Sequence, residues 1–328
     1  MKSIVQHALV TVLLSASLFL ACSTPRGAVS RGGAYPEAMG RSSESASTAS
    51  RGAVSKGGAY QEAMDRSVES ASTAPRGAVS SSETYPKEEG TVRLVQYNVG
   101  AFSKELDNSI PMIAAMMKEI GADALSLNEV DSCNGRHPVD QLADFAQAMG
   151  GWNHRFGKAM QYLGGGYGVG IAVPGRIIRS FTIPLPKGNG SEPRACVVVE
   201  TPLFVLASTH LDFADEPSTV VQARTVCEVL SREYSGSRKP VFLAGDMNSE
   251  PGSEVLSTLG ESFDVLSCRK ETFSADRPRV CIDFIMSLRG AGSFDLAGSD
   301  VPVSFRDGDV RLASDHLPVY VDVRIWKR

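Results

Sequence analysis

Six apolar stretches in the C-terminal part of the chain each meet an acid, an amide or an imidazole. VRLVQYNV runs through Asn98, ALSL at 124–127 is followed by Asn128 and Glu129, and FVLAST leads to His210 and Asp212. VFLAG leads to Asp246 and Asn248, CIDFIM carries Asp283 within it, and Asp315 and His316 stand just before LPVYVDV. Short apolar runs bounded by glycine and turn residues read as buried strands. A polar group mounted on such a rigid element is held in place at a cleft, where catalytic groups are commonly found. In an extended chain, residues i and i+2 share a side. Asp246 and Asn248 therefore look into one space if the strand continues two residues past Gly245. A bound metal or phosphate would account for that pair, and so would a capped turn. Taken singly, Asn98 reads as a turn residue, Glu129 and Asp131 as a solvated loop, and His316 as a turn histidine. Asp283 is different, because a carboxylate inside an apolar strand requires a partner. The ordered recurrence of six such blocks is what sets these residues apart. His137 and His154 have no such setting and read as surface or core histidines.

Helical periodicity fills several of the gaps. Ile110, Ile113, Ala114, Met117 and Ile120 fall on one helical face within 109–120, with Pro111 in the first turn and Gly121 as the stop. Val139, Leu142, Phe145, Ala146 and Met149 form a second amphipathic face, and a third helix is expected over 217–234. Strands are expected at 92–99, 124–127, 168–173, 195–200, 203–209, 241–245, 281–286 and 318–325. Many strands with fewer helices predict sheets packed as a sandwich under outer helices, one domain over 91–328. The glycines of GGGYGVG are not followed by Lys and Ser or Thr, so they read as a tight turn rather than a phosphate-cradling loop.

The first ninety residues have another character. Residues 26–50 and 51–75 match at 20 of 25 positions, and a third copy begins at Arg76 and breaks off. Their Ser, Ala, Gly and Thr content leaves too little apolar surface to offset the entropy of ordering, so 23–90 is expected to be a disordered linker. Ahead of it, Lys2 and the apolar run 8–20 resemble an export signal, too short to span a membrane. The run ends in LFLACS, similar to a bacterial lipoprotein signal over 1–22 in which Cys22 carries the lipid. Leu20 is bulkier than the residue usual there, and a plain secretory signal is the alternative. Both readings take the protein out of the cytoplasm, to the cell envelope or beyond. The five remaining cysteines show no metal-binding spacing and read mostly as small buried residues. From residue 91 on there are 24 Lys and Arg against 29 Asp and Glu, a net of −5. A general duplex-DNA binder carries a basic footprint, and this domain does not.

YNVG, NEVD, STHLD, GDMN, IDFI and SDHLPV, in this order, resemble the successive motifs of the endonuclease/exonuclease/phosphatase superfamily. This is the DNase I-like group, which also contains sphingomyelinases and inositol-polyphosphate 5-phosphatases. The resemblance covers 91–328 and implies an α/β fold: a four-layer sandwich of two mixed sheets flanked by helices. It implies a phosphoesterase dependent on Mg²⁺, with Mn²⁺ or Ca²⁺ as alternatives. By resemblance, Glu129 is the metal-binding glutamate and Asp315 lies near or on the metal. Asn98 arranges the metal or phosphate surroundings, and Asp246 orients or deprotonates the attacking water. Asn248 contacts the phosphate, His210 bonds it or assists the leaving group, Asp283 pairs with His316, and Arg194 neutralises the phosphate. Asn128 stands where the family often has Gln, so a shifted surrounding is expected there. The implied partners are a phosphoester of unassigned class and a membrane reached through the lipid anchor, with the chain a monomer.

The chemistry asks for the same residue types. A phosphodiester repels hydroxide, so a hard cation on oxygen ligands, a proton acceptor for water and fixed donors for the phosphoryl oxygens are all useful. A binding protein that kept the fold and lost catalysis is the alternative of another class, and a secreted nuclease is the alternative within this one. The G-x-S-x-G of serine hydrolases is absent.

Overall fold

The computed structural model describes residues 84–190 and 192–326. The expectations for the signal, Cys22 and the repeats lie outside these residues. Among the described residues no helix is long and apolar enough to cross a membrane.

In chain order the elements are β1 (Val92–Asn98), α1 (Ile110–Glu119), β2 (Ala124–Ser132), α2 (Gln141–Ala148), β3 (Asn153–Tyr162) and β4 (Gly165–Val173). Next come β5 (Arg179–Pro184), β6 (Ala195–Glu200), β7 (Val205–His210), α3 (Glu216–Tyr234) and β8 (Val241–Asp246). The chain ends with α4 (Glu254–Leu259), β9 (Phe263–Val265), β10 (Asp283–Leu288), β11 (Phe294–Asp300), α5 (Val310–Ala313) and β12 (Val319–Ile325). Two six-stranded sheets result, ordered β11-β12-β1-β2-β4-β3 and β5-β6-β7-β8-β10-β9. Both are mixed, and the expected sandwich is what the chain forms.

Alternation along the strands explains the layers. On β8, Phe242 and Ala244 enter the core shared with β1, β2 and β4, while Val241 and Leu243 pack with Val220, Ala223, Val226 and Leu230 of α3. On the other sheet, α1 and α2 supply Ile113, Met117, Leu142 and Phe145, all fully buried. Truncating one such side chain, Phe145, to alanine would cost about 3–5 kcal/mol. Two helices have capped starts: Asp140 accepts from Ala143 N ahead of α2, and Asp215 from Ser218 N ahead of α3, the β7–β8 crossover. Val139, expected inside the second helix, precedes that cap and is 45% exposed.

The centre of each sheet is a parallel pair, β1 with β2 and β7 with β8. Parallel pairs joined by helices bring their C-terminal ends to one side, where α/β folds bind ligands. Asn98, Glu129, His210 and Asp246 belong to those ends. β10 and β12 run antiparallel to these strands, so Asp283 and His316, which open them, reach the same end.

Four strands escaped the sequence reading. β3, β5, β9 and β11 lie at or next to sheet edges, are short or partly exposed, and so lack an apolar period. The β3–β4 turn comes earlier than expected, at Leu163 and Gly164, both at positive φ; the remaining glycines of the stretch belong to β4, which starts at Gly165. The packed chain also starts before residue 91. The fully buried Arg93 donates Nη1 to Tyr85 O at 3.1 Å and Nη2 to Pro86 O at 2.9 Å, and Tyr85 Oη bonds Ser304 O. Residues 85 and 86, placed in the linker by composition, are part of the folded unit.

Candidate active site

Of the nine residues singled out, seven line one cavity of about 380 Å³: Glu129, Arg194, His210, Asp246, Asn248, Asp315 and His316. Asn98 and Asp283 are fully buried behind it. Asp246, the last residue of β8, sits at the centre. Its Oδ2 accepts from Asn98 Nδ2 at 3.1 Å and lies 3.5 Å from His210 Nε2 and 3.6 Å from His316 Nε2. Burial, with Asp283 close by, pushes the Asp246 carboxyl up to about 7.

Asp283 faces Asp246 across the β8–β10 register. Its Oδ2 is 2.9 Å from His316 Nδ1, as the resemblance implied, and Oδ1 accepts from Gln96 Nε2 at 3.3 Å. Burial alone would lower the His316 pKa, but Asp283, Asp246 and Asp315 together raise it to about 9. His210 goes the other way. Burial first, then Arg194, His316 and Lys104, hold it well below its usual range. Arg194 Nη1 lies 3.3 Å from its Nδ1 and Asn248 Nδ2 3.0 Å from its Nε2, and a neutral ring accepts from only one of them. Two histidines in one cavity are thus driven to opposite charge states.

Two local expectations need correction. The β8 strand ends at Asp246, and Asn248 has φ 47°, so strand alternation does not bring the pair together. A turn does: Asn248 N donates to Asp246 Oδ1 at 2.9 Å, and Nδ2 donates to Leu211 O at 3.0 Å. Glu129 does not follow a strand but interrupts one. β2 continues to Ser132, and its register with β4 slips between Asn128 and Val130, leaving Glu129 in a bulge at φ 56°. A bulge re-aims a side chain, and Glu129 Oε1 accepts from Asn98 Nδ2 at 3.1 Å.

Asn128, the departure from the family pattern, is a wedge between the sheets. It accepts from Gln96 Nε2 at 2.6 Å and Asp246 N at 2.8 Å, and donates to Thr209 O at 3.0 Å. Gln96 was not singled out from sequence, although a glutamine within VRLVQYNV was a visible signal. Lys104 was missed too, and nothing local marks it. Its Nζ lies 2.9 Å from Asp315 Oδ2 and 3.7 Å from Glu129 Oε2. The two carboxylates assigned to a metal therefore converge on one positive charge, and oxygen donors of this kind suit Mg²⁺. Asp246, Asp283 and His316 also offer ligand atoms within 4.8 Å of one another. His154 is exposed, as expected, whereas His137 is bound to Asp131. Among the described residues all five cysteines are free.

The profile of the Endonuclease/Exonuclease/phosphatase family matches residues 95–316. The chain belongs to this family. Known members hydrolyse phosphoesters, and the site described above lies wholly within the matched span. Similar solved structures of the family fold include an endonuclease/exonuclease/phosphatase from Bacteroides vulgatus, 18% identical, with TM-score 0.59 over 72% of this chain and 99% of that one. A mannosyl-6-phosphatase from Bacteroides thetaiotaomicron is 19% identical, with TM-score 0.57 over 71% and 99%. The catalytic domain of human Nocturnin, with bound sulfate, is 18% identical, with TM-score 0.56 over 72% and 94%. No curated protein matches the chain by sequence.

Proposed function

We propose that this chain is an exported, lipid-anchored hydrolase of small phosphoesters in which Asp246 activates the attacking water. The observation that carries the reading is the sharing of one buried carboxylate oxygen, Asp246 Oδ2, among Asn98, His210 and His316. A carboxylate brought to about 7 is a competent acceptor of a water proton near neutral pH. Asn98 orients it, and the cationic His316, fixed by Asp283, stands next to it as a donor to an anion.

On this reading the phosphoryl group rests between Asn248, His210 and Arg194. Arg194 is 3% exposed and lines the cavity, with Nη2 3.1 Å from Glu192 Oε2 and Nη1 3.3 Å from His210 Nδ1. The guanidinium would neutralise a phosphoryl oxygen entering the cavity. Water attacks phosphorus, its proton passes to Asp246, the P–O bond to the organic group breaks, and His316 is placed to protonate the departing oxygen. A divalent ion held by Glu129 and Asp315 would supply charge neutralisation of the phosphate. The cavity volume of about 380 Å³ falls in the range of small-molecule sites.

The test is product release by the purified protein from a panel of phosphoesters: sugar and inositol phosphates, sphingomyelin, RNA, and single- and double-stranded DNA. Turnover abolished both by EDTA and by Asp246→Ala is expected. Turnover that survives Asp246→Ala would remove the proposed base, and a folded protein inert towards every ester would return the chain to the non-catalytic reading.

A further inference from the structure

The cavity is also lined by Arg136, Met160 and Tyr162, which the hydrolytic chemistry leaves unused. Arg136 is held there firmly. Asp131, two residues past Glu129 on β2, is fully buried and takes the guanidinium with both oxygens, Nε at 2.8 Å and Nη2 at 3.0 Å. His137 Nδ1 lies 2.5 Å from the same carboxylate. The loop behind is closed by Asn134, whose Oδ1 accepts from Arg136 N at 3.0 Å and His137 N at 2.8 Å. The loop is pressed onto the β3–β4 hairpin so closely that a Cβ at Gly165 would lie 2.1 Å from Cys133 O. The guanidinium sits over the rings of Tyr162 and Tyr167, at 5.1 and 5.9 Å.

The Arg136 side chain is 39% exposed, and it lines the cavity. One edge of the fork is used on Asp131, and Nη1 has no hydrogen-bond partner among the described residues. A planar guanidinium braced on one edge is preorganised to take an oxyanion on the other. We propose that Arg136 forms a second anion subsite. It binds a carboxylate or phosphate on the organic part of the substrate, while Met160 and Tyr162 pack against the intervening carbon skeleton. This rests on the phosphoesterase reading, because the first anion is the phosphoryl group at Asp246. It makes the substrate class a small phosphoester bearing a further oxyanion.

The experiment compares kcat/KM of the full chain, Arg136→Gln and Arg136→Lys on two matched pairs. These are glycerol 3-phosphate with 3-phosphoglycerate, and fructose 6-phosphate with fructose 1,6-bisphosphate. The protein is expected to prefer the doubly anionic member of at least one pair by about ten-fold or more, through KM. The responding pair tells carboxylate from phosphate. Arg136→Gln is expected to erase the preference. Arg136→Lys keeps a cation for Asp131 without the fork, so it should reduce the preference even if the Gln variant does not fold. Equal turnover within both pairs, or losses of one size on all four esters, would overturn the subsite. If none of the four is hydrolysed, the phosphoesterase reading is decided by the wider panel above. Calorimetric binding of the same four compounds then decides the subsite: tighter binding of the doubly anionic member, lost in the variants, keeps it, and equal or absent binding removes it.

Discussion

Replacing Asp283 by asparagine changes one charge and almost no volume at the point where His316 is anchored, 2.9 Å from its Nδ1. In the native protein His316 is raised to about 9, so at pH 8 its cation outnumbers the neutral ring by about ten to one. Burial opposes that charge and Asp283 is its first supporter. Asp283→Asn removes the main support of the cation, and a ring back at its ordinary value of about 6.5 would be only about 3% charged at pH 8. If the cation is required, kcat/KM at pH 8 falls about 30-fold, while near pH 6 the deficit in cation is only about 1.3-fold. The base moves in the same direction, because Asp283 also helps hold Asp246 at about 7. Both limbs of the rate profile should therefore shift to acid, from a native optimum between about 7 and about 9. The assay is kcat/KM against pH for both proteins on whichever ester is turned over. A parallel drop with the limbs unmoved would refute the charge argument and leave Asp283 as a mere orienting contact.

Other consequences are open to simpler measurements. Asp246→Asn should abolish turnover yet stabilise the fold at pH 8 by about 1–3 kcal/mol in urea melts. A carboxylate whose pKa is raised on folding loses stability as pH climbs from about 4 through about 7, and the amide does not; a variant excess that stays constant down to pH 4 would contradict this. Lys104→Met removes the ammonium held between Asp315 and Glu129, so calorimetric Mg²⁺ or Mn²⁺ affinity should rise by about ten-fold; unchanged or weaker binding would move the ion away from these carboxylates. Arg93→Met removes the guanidinium stacked on Tyr320 and leaves Asp322 buried and unpaired, and should cost about 3–5 kcal/mol, much of it recovered in Arg93→Met with Asp322→Leu; equal stability of the single and double variants would deny the pair its role.

The parts legible in the sequence were those in which local pattern and tertiary place coincide. An apolar strand ending in an acid or amide is a local signal. The parallel pairs and their antiparallel neighbours carry those endings to one side of the sandwich, so nine residues read one block at a time do converge. What was illegible depends on partners far along the chain. Edge strands such as β11, with its bulge at Leu296 to Gly298, have no core face to impose a period. Lys104 and Arg136 lie in loops of ordinary composition, and only the fold brings them to Asp315 and into the cavity. Asn128 looked like a shifted neighbour of the metal site. It proved to be a cross-link between sheets, because an inward amide at that level meets Gln96 and the backbone of β7 and β8 before it meets solvent.

Backbone conformation points to the same end of the molecule. Six non-glycine residues hold φ between 42° and 56°: Ala101, Phe102, Glu129, Cys133, Leu163 and Asn248. Each such residue costs on the order of 1–3 kcal/mol and persists only where its surroundings over-determine it. Glu129 and Asn248 present groups to the cavity, Ala101 and Phe102 lie between Asn98 and Lys104, and Cys133 and Leu163 flank Arg136 and Tyr162. The restraints are traceable. Gln141, only 3% exposed, donates to Ala101 O at 2.6 Å and accepts from Asp131 N at 2.9 Å, tying the turn after β1 to the strand beyond the Glu129 bulge. Asn248 is held by Asp246 and Leu211, and the Cys133 loop by Asn134 and the hairpin glycines. Strained backbone at two cavity residues, Glu129 and Asn248, and in the loops next to it, restrained from behind by buried amides, fits a site whose donors are in position before any ligand arrives. For a reaction whose transition state gathers charge on phosphoryl oxygens, donors that need not reorganise are the ones that lower the barrier.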